Sequence, residues 1–215
     1  KNKIYKSPLI LICCKKILMT QIKKNNFKKK LRVLEFKKLK KYKIDNKCIN
    51  LIDIECKKVN NKFETYLTNK YLINSFNIAL KLMRDKYSVK LINGPVNKTS
   101  FLKRKFLGVT EFFSYKCKVK KIGMLIYNKD LSVCPLTTHL PIKLVAKNIT
   151  QKKIEEKINL IDKFYLKKLK FKPSIGVTGM NPHCESILEF NEDEKIVLKA
   201  INSQKTKGIK VKGPY

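Results

Sequence analysis

Apolar residues form two patterns that alternate along this chain. Short apolar runs rich in β-branched and aromatic residues have the length of strands. These runs are residues 9–13, 49–54, 89–92, 122–127, 131–136 and 175–178. Longer segments between them carry apolar residues at helical spacing. Strands that alternate with helices in this way predict an α/β fold with a mainly parallel or mixed sheet.

Three segments predict amphipathic helices. Residues 69–86 and 151–169 each place apolar side chains on one face, namely Leu72, Phe76, Ala79, Leu80 and Met83 in the first and Ile154, Ile158, Ile161 and Tyr165 in the second. The third helix begins after Asn191, has Glu194 placed as in a capping box, and ends at Gly208. Its predicted buried face comprises Ile196, Val197, Ala200 and Ile201. Residues 15–47 are rich in lysine and weakly periodic, which predicts a variable surface region.

Lysine dominates the charge of the chain. There are 50 Lys and Arg residues against 16 Asp and Glu, giving a net charge of +34. The arginines are only Arg32, Arg84 and Arg104. Because arginine is the better residue for bidentate recognition of phosphates and bases, this composition disfavours a specific nucleic-acid reader. Abundant Lys, Asn and Ile indicate a codon bias toward A and T, so a lysine-coated solvated surface is the favoured interpretation. Loose, salt-sensitive RNA binding remains an alternative.

The seven cysteines indicate a reducing compartment. Their number is odd, none forms a C-x-x-C pair, and no secretory leader is present. The apolar run at residues 9–14 is far shorter than the roughly 20 residues that span a bilayer. We therefore expect a cytoplasmic protein without a membrane partner. The sequence gives no support for nucleophilic catalysis by cysteine.

Both histidines of the chain lie in loops that follow predicted strands, where ligand sites of open α/β sheets gather. His139 and His183 each have a proline within two residues. Imidazole is the commonest metal-binding side chain, yet a catalytic zinc usually takes three protein ligands. On spacing alone, two hydrogen-bonded structural histidines are therefore the favoured interpretation, and a metal site is the alternative.

Two other loops contain candidate anion-binding groups. The turn at residues 94–98 can bring Lys98 and backbone amides toward a phosphate, or it can be a simple turn with a surface lysine. Thr110 and Glu111, which follow Gly108, can cap a helix whose free amides attract phosphate. Capping alone is the plainer interpretation.

Five ordered segments resemble the 4-hydroxythreonine-4-phosphate dehydrogenase family of vitamin B6 biosynthesis. They are LINGPVNK at 91–98, GVTEFF at 108–113, TTHLP at 137–141, GMNPH at 179–183 and KGIKVKGP at 207–214. The resemblance is strong over residues 89–215, the motif-bearing part, and faint but collinear before it. The chain is accordingly interpreted as one α/β dehydrogenase-like region over residues 1–215.

The resemblance implies a fold and a reaction. The fold is that of isocitrate and isopropylmalate dehydrogenases, with two α/β lobes around a central cleft and an active site at a homodimer interface. Family members use NAD or NADP to oxidise the C3 hydroxyl of 4-phosphooxy-threonine. The β-keto acid then loses CO₂ to give 3-amino-2-oxopropyl phosphate. The implied cofactors are NAD or NADP and a divalent cation such as Zn, Mg or Co. No G-x-G-x-x-G element is present, so no cofactor-binding residues are assigned.

The resemblance also implies roles for particular residues. The family holds its metal with three histidines, two of which match His139 and His183, and this reverses the interpretation from spacing alone. Thr110 matches the threonine of a substrate-binding His-Thr pair, whereas Val109 replaces the histidine. That replacement is expected to cost about 1 to 3 kcal/mol of substrate binding. Lys98 is a further substrate-binding candidate, and no catalytic residue is assigned beyond the metal ligands.

Several family elements have no counterpart in the sequence. These are the N-terminal Gly-Asp/Glu-Pro-Ala-Gly-Ile-Gly loop, the third metal histidine and the C-terminal substrate-binding Lys, Asn and Arg. Two explanations follow: the sequence is an internal piece of a longer enzyme, or it is a shortened, inactive member of the family. Val109 slightly favours the second. A basic RNA-associated protein is the remaining alternative, and it rests on the charge.

Overall fold

The chain forms two compact units, Lys1–Lys105 and Phe106–Tyr215. The structure is a computed structural model that describes residues 7–56, 65–88, 90–97, 101–102, 105–185 and 190–215. Among the helices within these ranges, even one of 20 residues lacks the hydrophobicity needed to cross a membrane.

The first unit contains a parallel three-stranded sheet. Its described elements are β1 (Ile10–Cys13), α1 (Lys15–Lys24), β2 (Leu31–Val33), a 3-10 helix (Phe36–Lys41), β3 (Ile49–Asp53) and α2 (Thr65–Arg84). Strand β3 lies between β1 and β2, and both pairings are parallel. The predicted strands at residues 9–13 and 49–54 are confirmed. Strand β3 is paired on both edges, and its consecutive residues Asn50, Leu51 and Ile52 are all buried.

The core of the first unit corrects the prediction for residues 15–47. This region is not merely a variable surface, because it contributes α1, β2 and two core side chains, Leu34 and Leu39. These pack with Ile52 of β3 and Leu82 of α2. The sequence pattern did not predict these elements, because lysines interrupt the spacing of the apolar residues. A strand of three residues is also too short to show an alternating pattern.

Helix α2 confirms the helix predicted at residues 69–86, shifted by a few residues toward the N-terminus. Phe76 and Ala79 are buried as predicted, and Leu82 is buried as well. The Phe76 ring lies 5.4 Å from that of Phe101 in the same unit, a separation typical of packed aromatic rings.

The second unit is mainly helical around a short parallel strand pair. Its described elements are α3 (Val109–Cys117), a 3-10 turn (Ile142–Leu144), α4 (Val145–Asn148), α5 (Gln151–Phe164), a π-helical turn (Tyr165–Leu169), β4 (Ile175–Gly176), a 3-10 turn (Pro182–Cys184), a π-helical segment (Asp193–Leu198), α6 (Lys199–Thr206) and β5 (Val211–Lys212). Strands β4 and β5 pair in parallel.

The predicted helices of the second unit are confirmed. Ile154 and Ile158 of α5 pack against the final helix and the strand pair, and the buried side chains of this core are Ile154, Ile158, Ile175, Val197, Ala200, Ile201 and Val211. Asn191 caps the final helix as predicted, because its Oδ1 accepts a hydrogen bond of 2.9 Å from the Asp193 amide. Gly208 ends the helix with φ of +77°, which glycine adopts readily.

Four predicted strands are shorter than expected or absent. Residues 122–127 and 131–136 form only one antiparallel bridge, Ile126 with Val133. Within the described chain no further strand joins them, and an isolated two-stranded pair is marginal in stability. The strand predicted at 175–178 comprises only Ile175–Gly176. Of residues 89–92, Val89 lies outside the described residues and the rest are not strand.

Candidate functional site

Both histidines occupy the left-handed backbone region, which few residues with a Cβ adopt. His139 has φ of +57° and His183 has φ of +55°, in the left-handed region, and both side chains are exposed. This region is costly for residues with a Cβ, and it persists where surrounding contacts hold the chain there. Such residues are concentrated at ligand sites. The two loops are therefore candidate ligand sites.

The His139 loop contacts the start of α3. Gly108 precedes this helix and is buried; a Cβ placed on it would lie 2.7 Å from Oε2 of Glu111 and 3.3 Å from Nε2 of His139. The carboxylate and the imidazole thus lie against the same glycine. Thr138, the neighbour of His139, donates a hydrogen bond of 3.3 Å from Oγ1 to Oε1 of Glu111.

The second oxygen of Glu111 makes this corner a candidate cation site. Oε2 is buried and accepts no hydrogen bond from any residue that the structure describes. A buried polar atom without a partner in the protein calls for a water or an ion. Carboxylate oxygen and imidazole nitrogen are both ligands that divalent cations accept. Glu111 and His139 are therefore two candidate ligands of a cation.

The start of α3 holds the residues predicted to contact substrate. Val109 and Thr110 are half-buried in its first turn, and the helix is nine residues long. Backbone amides in a first helical turn point out of the helix and attract anions. Lys98, the third substrate-binding candidate, lies outside the described residues and stays a prediction.

The His183 loop follows β4 and is held by a carboxylate of the final helix. Asp193 is almost fully buried, with 1% of its surface exposed. Its Oδ1 accepts a hydrogen bond of 2.9 Å from the Met180 amide. Its Oδ2 accepts two from Asn181, of 2.9 Å from the backbone amide and 3.1 Å from Nδ2. Asp193 therefore fixes the residues just before His183.

Asn191 holds the other end of the same loop. Its Nδ2 donates a hydrogen bond of 3.1 Å to the carbonyl of Cys184, the residue after His183. Asn191 was predicted only as a helix cap, and neither Asp193 nor Glu111 was singled out from the sequence beyond a capping role for Glu111. For Asp193 the available signal was an acidic residue in the first turn of a helix close in sequence to the His183 loop. Glu111 lies 27 positions from Thr138 and gave no such signal.

The third ligand of the expected metal set is not found in the described part of the chain. There, no three His, Cys, Asp or Glu side chains are grouped so that they could hold a metal ion. His139 and His183 belong to the same unit. The structure thus describes two histidine loops: Glu111 and His139 lie against the same glycine, and Asp193 bonds the residues just before His183.

These elements define an α/β protein with a candidate cation site in its second unit. The sequence matches the family model of the pyridoxal phosphate biosynthetic protein PdxA over residues 5–215. The chain belongs to this family, as the five motifs predicted.

Curated relatives are dehydrogenases of this family. The chain is 37% identical over 127 residues to the 4-hydroxythreonine-4-phosphate dehydrogenase of Aquifex aeolicus, a match that covers 58% of this chain and 40% of that protein. It is 30% identical over 170 residues to that of a Sulfurihydrogenibium species, covering 77% of this chain and 52% of that protein. The chain thus spans about half or less of the length of these relatives.

Solved structures establish the fold. The crystal structure of 4-hydroxythreonine-4-phosphate dehydrogenase from Klebsiella pneumoniae is similar with a TM-score of 0.82 at 22% identity, covering all of this chain and 67% of that one. That from Burkholderia phymatum has a TM-score of 0.74 at 21% identity, covering 95% and 63%. The predicted isocitrate dehydrogenase-like α/β fold is confirmed.

Proposed function

We propose that the protein acts as a 4-hydroxythreonine-4-phosphate dehydrogenase in pyridoxal phosphate biosynthesis. It would use NAD or NADP to oxidise 4-phosphooxy-threonine at C3, and decarboxylation would then give 3-amino-2-oxopropyl phosphate. The observation that carries the proposal is the family match over residues 5–215. We propose the cytoplasm as its location, because the cysteine pattern indicates a reducing compartment.

We infer that His139 and His183 bind a divalent cation such as Zn, Mg or Co. When bound, the cation would lower the pKa of the substrate hydroxyl and stabilise the alkoxide that develops as hydride leaves. Glu111 supports this role for His139, because its unpartnered Oε2 lies against the same glycine as the imidazole. The carboxylate would balance part of the cation charge within a partly buried site.

We infer that the start of α3 binds the anionic substrate. The Thr110 hydroxyl and the free amides of the first turn are donors that suit a phosphate or carboxylate. Val109 cannot supply the hydrogen bond of the histidine that it replaces, which would weaken binding roughly ten- to a hundredfold. We also propose Lys98 as a substrate-binding residue, because its positive charge suits an anionic group.

We infer that the protein is a homodimer. The second unit exposes several large apolar side chains, among them Leu107 just before α3 and Ile126, Tyr127, Leu131 and Ile142 between α3 and α5. Contiguous exposed apolar surface is typical of protein interfaces, and a second copy fits the family resemblance. Analytical ultracentrifugation would detect the dimer, which Ile126→Lys would dissociate; a monomeric parent protein would contradict this inference.

The activity can be tested directly. Purified protein loaded with Zn²⁺ or Co²⁺ should reduce NAD or NADP when given 4-phosphooxy-threonine, followed by the absorbance of the reduced nicotinamide. His139→Ala and His183→Ala should each abolish turnover, whereas Lys129→Ala, at an exposed position in the same unit, should leave it unchanged. A folded parent protein that does not turn over the substrate would instead support an inactive family member.

A further inference from the structure

The loop that carries His183 is held from both sides by two residues of one helix start. We call this pair, Asn191 and Asp193, the loop clamp. We propose that Asp193 is a positioning residue of the cation site, whose buried carboxylate holds the His183 loop in the conformation that presents the imidazole. This inference rests on the proposed role of His183 as a cation ligand.

The contacts of Asp193 are directed at the histidine loop. Among the residues that the structure describes, both of its oxygens accept hydrogen bonds, from the Met180 amide and from the backbone amide and Nδ2 of Asn181. Bonds to a charged acceptor are stronger than those between neutral groups. The start of the final helix further favours a negative charge at this position. The free-energy cost of burying the Asp193 carboxylate is thus offset by the helix start and, mainly, by hydrogen bonds from the histidine loop.

The loop needs such a restraint because of its backbone conformation. His183 and Cys184 are consecutive residues with φ of +55° and +58°, in a region that side chains with a Cβ disfavour. Asp193 fixes the amides of Met180 and Asn181 before this strained pair, and Asn191 fixes the Cys184 carbonyl at its end. A loop released from either anchor would relax toward ordinary φ values and would turn His183 away from its present direction.

The exposed imidazole indicates why this restraint bears on ligand binding rather than on packing alone. His183 is exposed, so packing restrains its imidazole less than it would restrain a buried side chain. A metal ligand that is free to move loses conformational freedom on binding, which lowers affinity. Residues that orient metal ligands from behind typically contribute ten- to a hundredfold to metal affinity or activity. Asp193 acts in this way on the backbone that precedes His183.

The test is a Co²⁺ titration of the full chain, with affinity measured by chelator competition and ligand geometry by the visible absorption of bound Co²⁺. Asp193→Asn replaces one carboxylate oxygen by an NH₂ group, which cannot accept the hydrogen bond that the loop donates there. We therefore expect Co²⁺ affinity to fall ten- to a hundredfold. Asp193→Glu should restore part of it. Asp130→Asn makes the same chemical change at an exposed position of the unit and should leave affinity unchanged.

A double-mutant cycle separates positioning from a general loss of structure. In a His183→Ala background, Asp193→Asn should cause no further loss of Co²⁺ affinity, because its effect passes through the missing imidazole. Circular dichroism checks that each variant is folded. If Asp193→Asn does not fold, Asn181→Ala is the milder variant. It removes the hydrogen bonds from Nδ2 to Asp193 and to Glu192 but keeps both backbone bonds to Asp193, so it should give a smaller loss in affinity.

The outcomes distinguish this proposal from the one on which it rests. If the parent protein does not bind Co²⁺, or if His183→Ala binds it as well as the parent does, the proposed cation site is wrong and the role of Asp193 falls with it. If His183→Ala loses Co²⁺ while Asp193→Asn binds it like Asp130→Asn, the cation site stands and the positioning role is wrong. Equal losses from Asp193→Asn with and without His183 would also overturn it.

Discussion

Thr138 donates a hydrogen bond from Oγ1 to Oε1 of Glu111, at 3.3 Å, across 27 positions of the sequence. This bond ties the His139 loop to the first turn of α3. It uses one oxygen of the carboxylate and leaves the other, buried and unpartnered among the described residues, beside the imidazole. One carboxylate oxygen of Glu111 therefore holds the loop, and the other is available to a cation.

Glu111→Gln is expected to separate cation binding from stability. The amide oxygen still accepts the hydrogen bond from Thr138, and the substitution removes a buried negative charge. The free energy of unfolding should therefore change by less than about 1 kcal/mol. Co²⁺ affinity should fall about tenfold, measured by chelator competition. Glu35→Gln, at an exposed position of the first unit, is the control and should change neither. Parent-like Co²⁺ affinity in Glu111→Gln would refute the role of its carboxylate.

Gly108→Ala is expected to disturb the same corner by contact alone. Gly108 has φ of −159°, which any residue adopts, so the new methyl group adds no backbone strain. It would stand 2.7 Å from Oε2 of Glu111 and 3.3 Å from Nε2 of His139, and both must shift. We expect weaker Co²⁺ binding and a loss of about 1 to 3 kcal/mol in unfolding free energy.

Gly94→Ala provides the matched control, because a Cβ at Gly94 meets no atom of the described residues within 4 Å. Its stability should stay within about 1 kcal/mol of the parent. Equal effects of the two substitutions in urea denaturation would show that the contact at Gly108 does not matter.

Gly213→Ala should destabilise the second unit far more than Gly208→Ala. Both glycines have positive φ, +125° and +77°, so each alanine carries a backbone cost of about 1 to 2 kcal/mol. At Gly208 the methyl group meets open space, whereas at Gly213 it collides with the carbonyl of Val177, which already accepts a bond from the Tyr215 amide. We expect about 1 kcal/mol for Gly208→Ala and more than about 3 kcal/mol for Gly213→Ala. Urea unfolding of both variants measures the difference, and equal losses would contradict it.

Cysteine labelling should distinguish buried from exposed thiols. Burial raises the pKa of Cys134, although nearby Lys157 acts in the opposite direction. Because a raised pKa leaves less thiolate at about pH 8, Cys134 should react with iodoacetamide at least about tenfold more slowly than exposed Cys117. Its rate should keep rising as the pH passes about 9, where an ordinary thiol is already mostly ionised.

Mass spectrometry of labelled peptides assigns each rate to its cysteine. Cys117→Ser should remove the fast phase and leave the Cys134 rate unchanged. Burial also raises the pKa values of Cys13 and Cys56, so these thiols should join the slow group. Fast labelling of Cys134 at neutral pH would contradict the burial that raises its pKa.

The sequence by itself determined the elements whose signals are local. The spacing of Ile154 and Ile158 predicted α5, and Asn191 with Gly208 predicted the limits of the final helix. The ordered motifs predicted the family and placed both histidines in loops. These signals were readable because helical period, caps and motifs depend on residues close together along the chain.

Tertiary structure decided which residues meet. Strand β2 forms because β3 offers it a parallel partner, while the more strand-like residues 122–136 make one bridge because the described chain supplies no further partner. Glu111 reaches the His139 loop across 27 positions, and Asp193 reaches the His183 loop across 12 and 13. No local period encodes such contacts, since they depend on how separate elements pack. The sequence thus predicted the two histidines, and only the structure supplied the carboxylates that accompany them.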